Sequence, residues 1–403
     1  MGKKNNKINN IKKLGLPVII FGARSVGEAL FYACRDAGIK VECFCDNDLN
    51  KTKKLVCDTK VIHTSDLKKK YKDAVFLISA ADIKDVVDQL KHLGYSKWYP
   101  STLLLRNFDI YQYNYSVPVD FVEYTVAACL FCHDSFLTPG KLFLRSVDII
   151  ITERCSLRCQ DCSNLMRYYK SPKDCDTKEL YKNIDRFLDI VDEVNEFRVL
   201  GGEPFMNKDA HLIIKKLIEE PKVKKIVIYT NGTIPLRGDQ IKSLKSEKVL
   251  FIITDYGKLS RNLNTLTKQL SENNIAFYVQ KAGGWTDCSK IKKHSRNIKK
   301  QEEIFRNCCA KNTVTLSNNY LFRCPFSANA YRLRAVPDYK NDYVDIFNTS
   351  IDINEMKVKI KGFLLNKKFL KTCDWCNGRS FGDQRITPAI QLDKSLEYKK
   401  YTY

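Results

Sequence analysis

The sequence contains no uninterrupted run of about 18 apolar residues, the length that a membrane-spanning helix requires. Its basic beginning, MGKKNNKINNIKKLG, has no apolar segment of the kind found in a secretory signal. The sixteen cysteines are therefore expected in a reducing cytoplasm, where thiols bind metals or act in catalysis and do not form disulfides. Acidic residues are also scarce, because 46 Asp and Glu against 68 Lys and Arg give a formal net charge of +22.

This excess of positive charge favours an anionic partner, either nucleic acid or a phosphate-bearing substrate, unless the lysines only cover solvated surfaces. The sequence has no short block of clustered arginines with interleaved aromatic residues, and this argues against nucleic acid. The chain has 403 residues, 44% of them hydrophobic, which is enough for two or three domains with their own cores. Residues 1–16 are expected to form a basic disordered tail.

A first block of alternating strand-like and helix-like segments occupies residues 17–100, with strands at PVIIFG, VECFCDND and DAVFLISAA. This pattern predicts a small parallel sheet of the Rossmann-like type. Gly22 and Gly27 follow the first strand, but Arg24 replaces the middle glycine of the dinucleotide fingerprint, so we do not expect NAD to bind. The block resembles modules of bacterial sugar and surface-polysaccharide enzymes that hold a sugar nucleotide or dock a partner.

Residues 101–145 are rich in aromatic residues and poorly periodic, so they are predicted to be a connecting segment packed between domains. A second alternating block then begins at SVDIII and continues with the strand-like runs EFRVL, KKIVIYT, KVLFIIT and IAFYVQ. Asp176 and Glu179 suit a capping box at the start of one intervening helix. The prediction is an α/β fold with a partial (β/α)6 TIM-type barrel over residues 146–300, whose chemistry lies at the C-terminal ends of the strands.

Three cysteines, Cys155, Cys159 and Cys162, follow the first strand of this block with the spacing C-x3-C-x2-C. A structural zinc site needs four ligands, whereas three thiolates suit a [4Fe–4S] cluster in which one iron lacks a protein ligand. That iron can bind a small chelating molecule. The motif CSLRCQDC resembles the signature of the radical S-adenosylmethionine (SAM) superfamily, although Asp161 stands where the family often has an aromatic residue.

The resemblance implies that SAM chelates the open iron and is cleaved reductively to a 5′-deoxyadenosyl radical, with flavodoxin or ferredoxin as the reductant. It implies that the three cysteines are catalytic, and that Glu203 helps to hold the ammonium group of SAM. Segments at the strand ends supply the predicted SAM-binding residues: Gly201, Gly202, Glu203, Pro204, Thr230, Asn231 and Asp255. In a further loop, Cys288 is either a donor of a hydrogen atom to a substrate radical or an ordinary loop thiol.

The final segment, residues 301–403, is irregular and rich in cysteine. Four of its thiols suit either a zinc ribbon or a second, auxiliary [4Fe–4S] cluster. The pattern resembles the one-cluster (twitch) form of the SPASM extension of radical SAM enzymes, with Asn319 in place of a frequent glycine. Cys308 satisfies the same spacing as Cys309 for the first ligand. We predict that the auxiliary metal ligands are Cys309, Cys324, Cys373 and Cys376.

Taken together, these patterns predict a radical SAM oxidoreductase or epimerase that acts on a small molecule. The Rossmann-like block and the basic charge favour a sugar or nucleotide sugar of surface-polysaccharide or related biosynthesis as the substrate. One alternative is the modification of a ribosomally made peptide or protein, which twitch and SPASM enzymes often perform. An alternative of another class is a non-catalytic scaffold that binds a metal cluster.

Overall fold

The computed structural model describes residues 2–138, 140–287, 290–366, 368–380 and 382–403. Cys288, considered above as a hydrogen donor, lies outside the described residues. The chain divides into two compact units, Met1–Lys141 and Leu142–Tyr403. Within the described ranges, no helix combines the length and the apolar character needed to cross a bilayer.

The first unit is a six-stranded sheet with helices on both faces. Its strands are β1 (Val18–Phe21), β2 (Val41–Asp46), β3 (Leu55–Val56), β4 (Thr59–His63), β5 (Val75–Ile78) and β6 (Trp98–Pro100). Its helices are α1 (Gly2–Lys13), α2 (Ser25–Asp36), α3 (Leu67–Lys70), α4 (Ile83–His92), α5 (Thr102–Leu105) and α6 (Val119–Phe136). The strands lie in the order β3-β4-β2-β1-β5-β6 and pair in parallel, except for β3 with β4. The predicted Rossmann-like parallel sheet is confirmed.

Burial explains why the central strands read as continuous apolar runs. Every residue of β1 and of β5 is buried, because α2, α5 and α6 pack on one face of the sheet and α3 and α4 on the other. Helix α2 ends just before Gly38, which adopts φ +64° and donates its N–H to the Arg35 carbonyl at 3.0 Å. This is the left-handed position that glycine occupies at the lowest cost.

Two segments differ from the sequence-based expectations. The expected disordered tail contains α1, and Ile11 on that helix is only 1% exposed in the core of the first unit. The expected connecting segment also contributes to this core, because Leu103, Val122 and Val126 pack in the same apolar cluster as Ile20 of β1. Basic and aromatic residues outnumber the few apolar residues that attach these segments to the core, so the sequence pattern did not indicate this packing.

The second unit contains a large sheet and a two-stranded ribbon. Its strands are β7 (Phe143–Thr152), β8 (Glu193–Gly201), β9 (Val223–Thr230), β10 (Val249–Asp255), β11 (Ala276–Lys281), β12 (Trp285–Thr286), β13 (Val314–Ser317), β14 (Tyr320–Phe322), β15 (Tyr343–Asp345) and β16 (Arg385–Ile386). Its helices are α7 (Thr177–Ile190), α8 (Ala210–Glu219), α9 (Gly238–Ser243), α10 (Leu263–Glu272), α11 (Ile298–Asn307), α12 (Pro325–Arg332) and α13 (Ile353–Asn366).

The large sheet has the order β11-β10-β9-β8-β7-β13-β14-β15, and its first six strands are parallel. The predicted α/β fold of partial-barrel type is therefore confirmed. Six strands were predicted within residues 146–300, but the sixth parallel strand, β13, comes from the C-terminal segment and pairs with β7, with Val314 opposite Val147. The large sheet therefore includes strands from both sides of residue 300, where the sequence indicated the start of an auxiliary domain.

Helix α7 illustrates how the sequence encodes the outer layer of this unit. Asp176 caps it by accepting the N–H groups of Lys178 and Glu179 at 2.9 and 3.0 Å. The buried side chains Leu180, Ile184 and Leu188 repeat at helical spacing and join the core outside the sheet. Helices on this outer side leave the opposite, concave face of the sheet for other side chains, which include both polar residues and the apolar cluster of Ile150 and Leu200.

His133 makes the stability of the first unit dependent on pH. The ring is fully buried; Nδ1 accepts the Ser101 N–H at 3.0 Å, and Nε2 lies 2.9 Å from the Ala80 carbonyl oxygen. Burial lowers the pKa of His133 to about 4, against the opposing hydrogen bond to Ala80. Since the unfolded pKa is near 6.5, stability is full above about pH 6.5 and falls by up to about 3 kcal/mol as the pH drops to 4.

Hydrogen exchange of β1 and β5 in the full chain tests this prediction. The free energies of exchange should fall between pH 7 and pH 4.5 in the wild type. His133→Asn keeps an acceptor near Nδ1 but cannot titrate in this range, so the variant should lose most of that pH dependence. Equal slopes in the two proteins would show that other groups control the acid sensitivity.

Candidate functional site

The loop that carries the three cysteines begins at the end of β7 and is fixed at its base. Thr152 donates from Oγ1 to Asp174 at 2.7 Å and accepts the Arg154 N–H at 3.0 Å. The Arg154 guanidinium pairs with Asp174 at 3.0 Å. Glu153 pairs with Arg332 at 2.7 Å, and both side chains are only 13% exposed. These contacts, all of them between groups of the protein, hold the base of the loop in place.

The GGEP segment, at the end of β8, packs backbone to backbone against that loop. Gly202 donates its N–H to the Thr152 carbonyl at 3.0 Å, and Glu203 donates its N–H to the Arg154 carbonyl at 2.9 Å. A Cβ atom on Gly202 would lie 2.0 Å from the Arg154 oxygen, and one on Gly201 would lie 2.2 Å from the Thr152 oxygen. Any side chain would force the two segments apart, so this geometry requires glycine at both positions.

The Glu203 carboxylate is completely buried and is satisfied within the fold. Thr230 Oγ1 lies 2.8 Å from Oε1, and the Asn231 N–H donates to Oε2 at 2.9 Å. Burial raises the pKa of Glu203 to about 7, while these hydrogen bonds act in the opposite direction. Glu203 therefore joins the ends of β8 and β9, and its pairing with the SAM ammonium stays a prediction.

Cys155, Cys159 and Cys162 line one cavity of about 460 Å³ in the second unit. Four of the predicted SAM-binding residues line the same cavity: Gly201, Gly202, Thr230 and Asn231. Three others are not part of its described wall: Glu203, Pro204 and Asp255. The neighbours of Asp255, which are Thr254 and Tyr256, reach the cavity instead. The predicted strand ends therefore meet at this cavity, while the assignment of these residues to SAM stays a prediction.

Polar N–H groups surround two of the cysteine sulfurs. Cys155 Sγ lies 3.5 Å from the Leu157 N–H and 3.7 Å from Asn231 Nδ2, and Cys159 Sγ lies 3.3 Å from Gln391 Nε2. Burial raises the pKa of Cys155, and it raises the pKa of Cys159 to about 11. Thiolates at these positions therefore need a cationic partner, and N–H donors to sulfur are typical of iron–sulfur sites.

The chemistry of this donor set fits a [4Fe–4S] cluster. Among the described residues, no three His, Cys, Asp or Glu side chains are grouped so as to hold a single metal ion. A cubane cluster instead takes each thiolate on a different iron, which needs a wider set of sulfurs. The three cysteines would hold such a cluster, and the wall beside them would receive SAM.

Gln391 is a site residue that sequence reasoning missed. Its Oε1 accepts the Arg158 N–H at 2.8 Å, while the flanking Ile390 carbonyl accepts the Gln160 N–H at 2.7 Å. This antiparallel contact brings residues 390–392 onto the cysteine loop, 232 positions from Cys159. The surrounding sequence, AIQLDKS, carries no recognisable signal of this contact.

The C-terminal cysteines gather at a second, smaller cavity, and Cys308 belongs to this group in place of Cys309. Cys308, Cys324, Cys373 and Cys376 line it together. Cys309 is exposed and lines the first cavity with the three cysteines of the β7 loop. This geometry favours Cys308 over the predicted ligand Cys309, and the assignment of the metal ligands stays a prediction. The physical reason is the extended backbone at Cys308 (φ −74°, ψ 126°), because successive side chains then point in opposite directions.

In the first unit, the position that a dinucleotide site would use is occupied by internal contacts. Asp46, at the end of β2, accepts the N–H groups of Ala23 and Asp48, each at 2.9 Å. A Cβ atom on Gly27 would lie 2.2 Å from the Gly22 carbonyl oxygen, so this glycine is required for packing. The expectation that the unit does not bind NAD stays a prediction.

Comparison with known proteins identifies part of the second unit. Residues 149–255 match the family model described as the Radical SAM superfamily. The chain is 27% identical over 150 residues to GTP 3′,8-cyclase of Clostridium perfringens (strain SM101), covering 32% of this chain and 44% of that protein. It is 34% identical over 112 residues to GTP 3′,8-cyclase of Alkaliphilus metalliredigens, covering 27% and 35%. The chain thus spans less than half the length of these curated relatives.

Two solved structures are among the similar ones. BtrN in complex with AdoMet and 2-DOIA is 17% identical, with a TM-score of 0.35 over 63% of this chain and 98% of that chain. SuiB of Streptococcus suis bound to S-adenosylmethionine is 14% identical, with a TM-score of 0.31 over 72% and 60%.

Gly202→Ala tests whether the glycine pair sets the position of the cysteine loop. The added methyl group would lie 2.0 Å from the Arg154 oxygen, so we expect the loop to shift and iron incorporation at the first cluster to fall by more than half. Gly238→Ala is the matched control, because a Cβ atom there meets no atom within 4 Å. Iron and acid-labile sulfide per chain after anaerobic reconstitution provide the measurement, and equal values in both variants would contradict the prediction.

Cys308→Ser and Cys309→Ser form a matched pair that tests the second group of cysteines. We expect the Cys308 variant to lose the metal of this group, about four irons per chain if it is a [4Fe–4S] cluster, and the Cys309 variant to keep it. Iron, zinc and sulfide analysis distinguishes a cluster from a zinc site. Loss of metal from the Cys309 variant alone would restore the original assignment.

Proposed function

We propose that this chain is an enzyme that binds SAM at a [4Fe–4S] cluster held by Cys155, Cys159 and Cys162, because residues 149–255 match the family model of the Radical SAM superfamily. When bound and reduced, the cluster supplies the electron that cleaves SAM to a 5′-deoxyadenosyl radical, which abstracts a hydrogen atom from the substrate. The observation that carries the proposal is the single cavity that these three cysteines share with the ends of β8 and β9.

The chain's own groups then have distinct tasks. The Gly201–Gly202 backbone keeps the cavity wall close to the cysteine loop, while Asn231 and Gln391 direct N–H groups at sulfur. Thr230 and Asn231 are the proposed contacts to SAM, because both reach the cavity. Asp255 and Glu203 were also predicted to contact SAM. For Glu203 we propose only an indirect role, in which it positions Thr230 and Asn231.

For the substrate we propose a sugar or a nucleotide sugar that undergoes oxidation, epimerisation or rearrangement. Three observations support an anionic, nucleotide-linked molecule. The relatives named GTP 3′,8-cyclase take their name from a nucleotide, the cavity wall includes Arg379 and Arg385, and the chain carries a net charge of +22. We further propose flavodoxin or ferredoxin as the reductant, and the cytoplasm as the location.

We also propose that Cys308, Cys324, Cys373 and Cys376 hold an auxiliary [4Fe–4S] cluster. Burial raises the pKa of Cys324 to about 12 and raises that of Cys373, so these thiols need a metal to become thiolates. The spacing of the cysteines and the SPASM-like or twitch-like pattern support iron over zinc.

Replacing Cys155, Cys159 and Cys162 together with Ala tests the central proposal. The variant should form no 5′-deoxyadenosine under dithionite, because the cluster that cleaves SAM has lost its ligands. In the wild type, one member of a nucleotide-sugar panel should stimulate 5′-deoxyadenosine formation above the rate with a pooled peptide set. Persistent 5′-deoxyadenosine in the triple variant would refute the cluster assignment, while stimulation by peptides alone would move the substrate class to peptides.

A further inference from the structure

The concave face of the large sheet presents a pair of charged side chains to the cavity. The proposed cluster chemistry does not use this pair. Asp148 on β7 and Arg198 on β8 are register partners, and both line the cavity with the three cysteines. Tyr229 on β9 lies beside them, with the Arg198 guanidinium 5.6 Å from its ring centroid. The adjacent residues Val147, Ile149 and Val199 face the core on the outer side, which fixes the inward direction of the pair.

Asp148 has only one of its two carboxylate oxygens satisfied. Oδ1 accepts a hydrogen bond from Arg198 Nε at 2.5 Å, and the side chain is only 1% exposed. Oδ2 is buried and has no hydrogen-bond partner in the part of the chain that the structure describes. Such an oxygen is costly to leave unpaired, so a buried acceptor in a cavity wall indicates a donor from a bound molecule.

The charges decide which donor fits. Burial raises the pKa of Asp148, while Arg198 lowers it, and in the ion pair the two opposite charges compensate each other. The negative charge of Asp148 disfavours a phosphate group at this position, although Arg198 lies next to it. A neutral hydroxyl group provides the missing hydrogen and costs less to desolvate than an ammonium group.

We propose that Asp148, oriented by Arg198, is a specificity-determining residue that accepts a hydrogen bond from one hydroxyl group of the substrate sugar. This inference rests on the proposed function for the substrate class and goes beyond it in naming the position that reads the sugar. The phosphate groups of a nucleotide sugar then lie away from Asp148, so the sugar enters the cavity first. A hydrogen bond to a buried carboxylate is worth about 10- to 100-fold in affinity.

Calorimetry tests the proposal by measuring the binding of nucleotide sugars to the full chain, which is reconstituted anaerobically and loaded with SAM. The probes are UDP-glucose, UDP-N-acetylglucosamine and GDP-mannose, followed by the monodeoxy analogues of the tightest binder. For the wild type, removal of one particular hydroxyl group should weaken binding at least about tenfold. In Asp148→Asn, which places an amide where the acceptor was, the parent sugar and that analogue should bind equally weakly.

Glu196→Gln is the matched control for the same chemical change. Glu196 is a buried carboxylate on β8 that accepts a hydrogen bond from Ser146 and does not belong to the described cavity wall. This variant should retain the dependence on the single hydroxyl group. If Asp148→Asn folds poorly, the deoxy series on the wild type still decides, because it requires no substitution.

The outcomes separate this proposal from the proposed function. If Asp148→Asn binds the parent sugar as tightly as the wild type, or every deoxy analogue binds like the parent, Asp148 bonds only to water and the inference is overturned. The radical SAM assignment and the substrate class would then stand. If no nucleotide sugar binds to the wild type, the proposed substrate class fails together with the inference, whereas 5′-deoxyadenosine formation still reports on the cluster.

Discussion

The close approach of two strand ends is the constraint on which the rest of the site depends. Parallel pairing of β7 and β8 places Thr152 opposite Gly201, directly where each strand becomes a loop. The N–H groups of Gly202 and Glu203 then donate hydrogen bonds to carbonyl groups at the start of the cysteine loop. Any side chain at residue 202 would prevent this close approach. The cysteine loop and the part of the cavity wall that follows β8 both begin at this junction, so its geometry sets where each of them starts.

Chemistry with local spacing was predictable from the sequence, whereas contacts between distant segments were not. Cys155, Cys159 and Cys162 lie within eight positions after a strand, so their common cavity followed from spacing and strand context. The alternating strands and helices likewise predicted the parallel sheets. Gln391 reaches the cluster loop through tertiary pairing across 232 positions, and nothing in a local pattern encodes that contact.

The other differences between prediction and structure have one physical cause. Only a few residues attach each of these segments to the rest of the fold. Helix α1 is held by Ile11 within a run of Lys and Asn, and β13 joins the large sheet through only four residues. Short, polar or aromatic segments of this kind show weak periodicity, although Ile11 and all four residues of β13 are buried. Spacing could not decide between Cys308 and Cys309 for a different reason, because one residue of offset reverses the direction of a side chain in extended backbone.

The one-residue offset between Cys308 and Cys309 also explains how one short segment contributes to both cysteine-lined cavities. Cys308 faces the C-terminal group while Cys309 faces the cavity of the β7 loop, and Ser163, Pro325 and Arg379 line both. The two cavities therefore share these side chains as part of their walls. Since Cys308 and Cys309 line different cavities, we expect a metal bound to the C-terminal group to brace one wall of the cavity that the three cysteines of the β7 loop line. The C-terminal segment thereby contributes to the large sheet, through β13, and to the wall of this cavity.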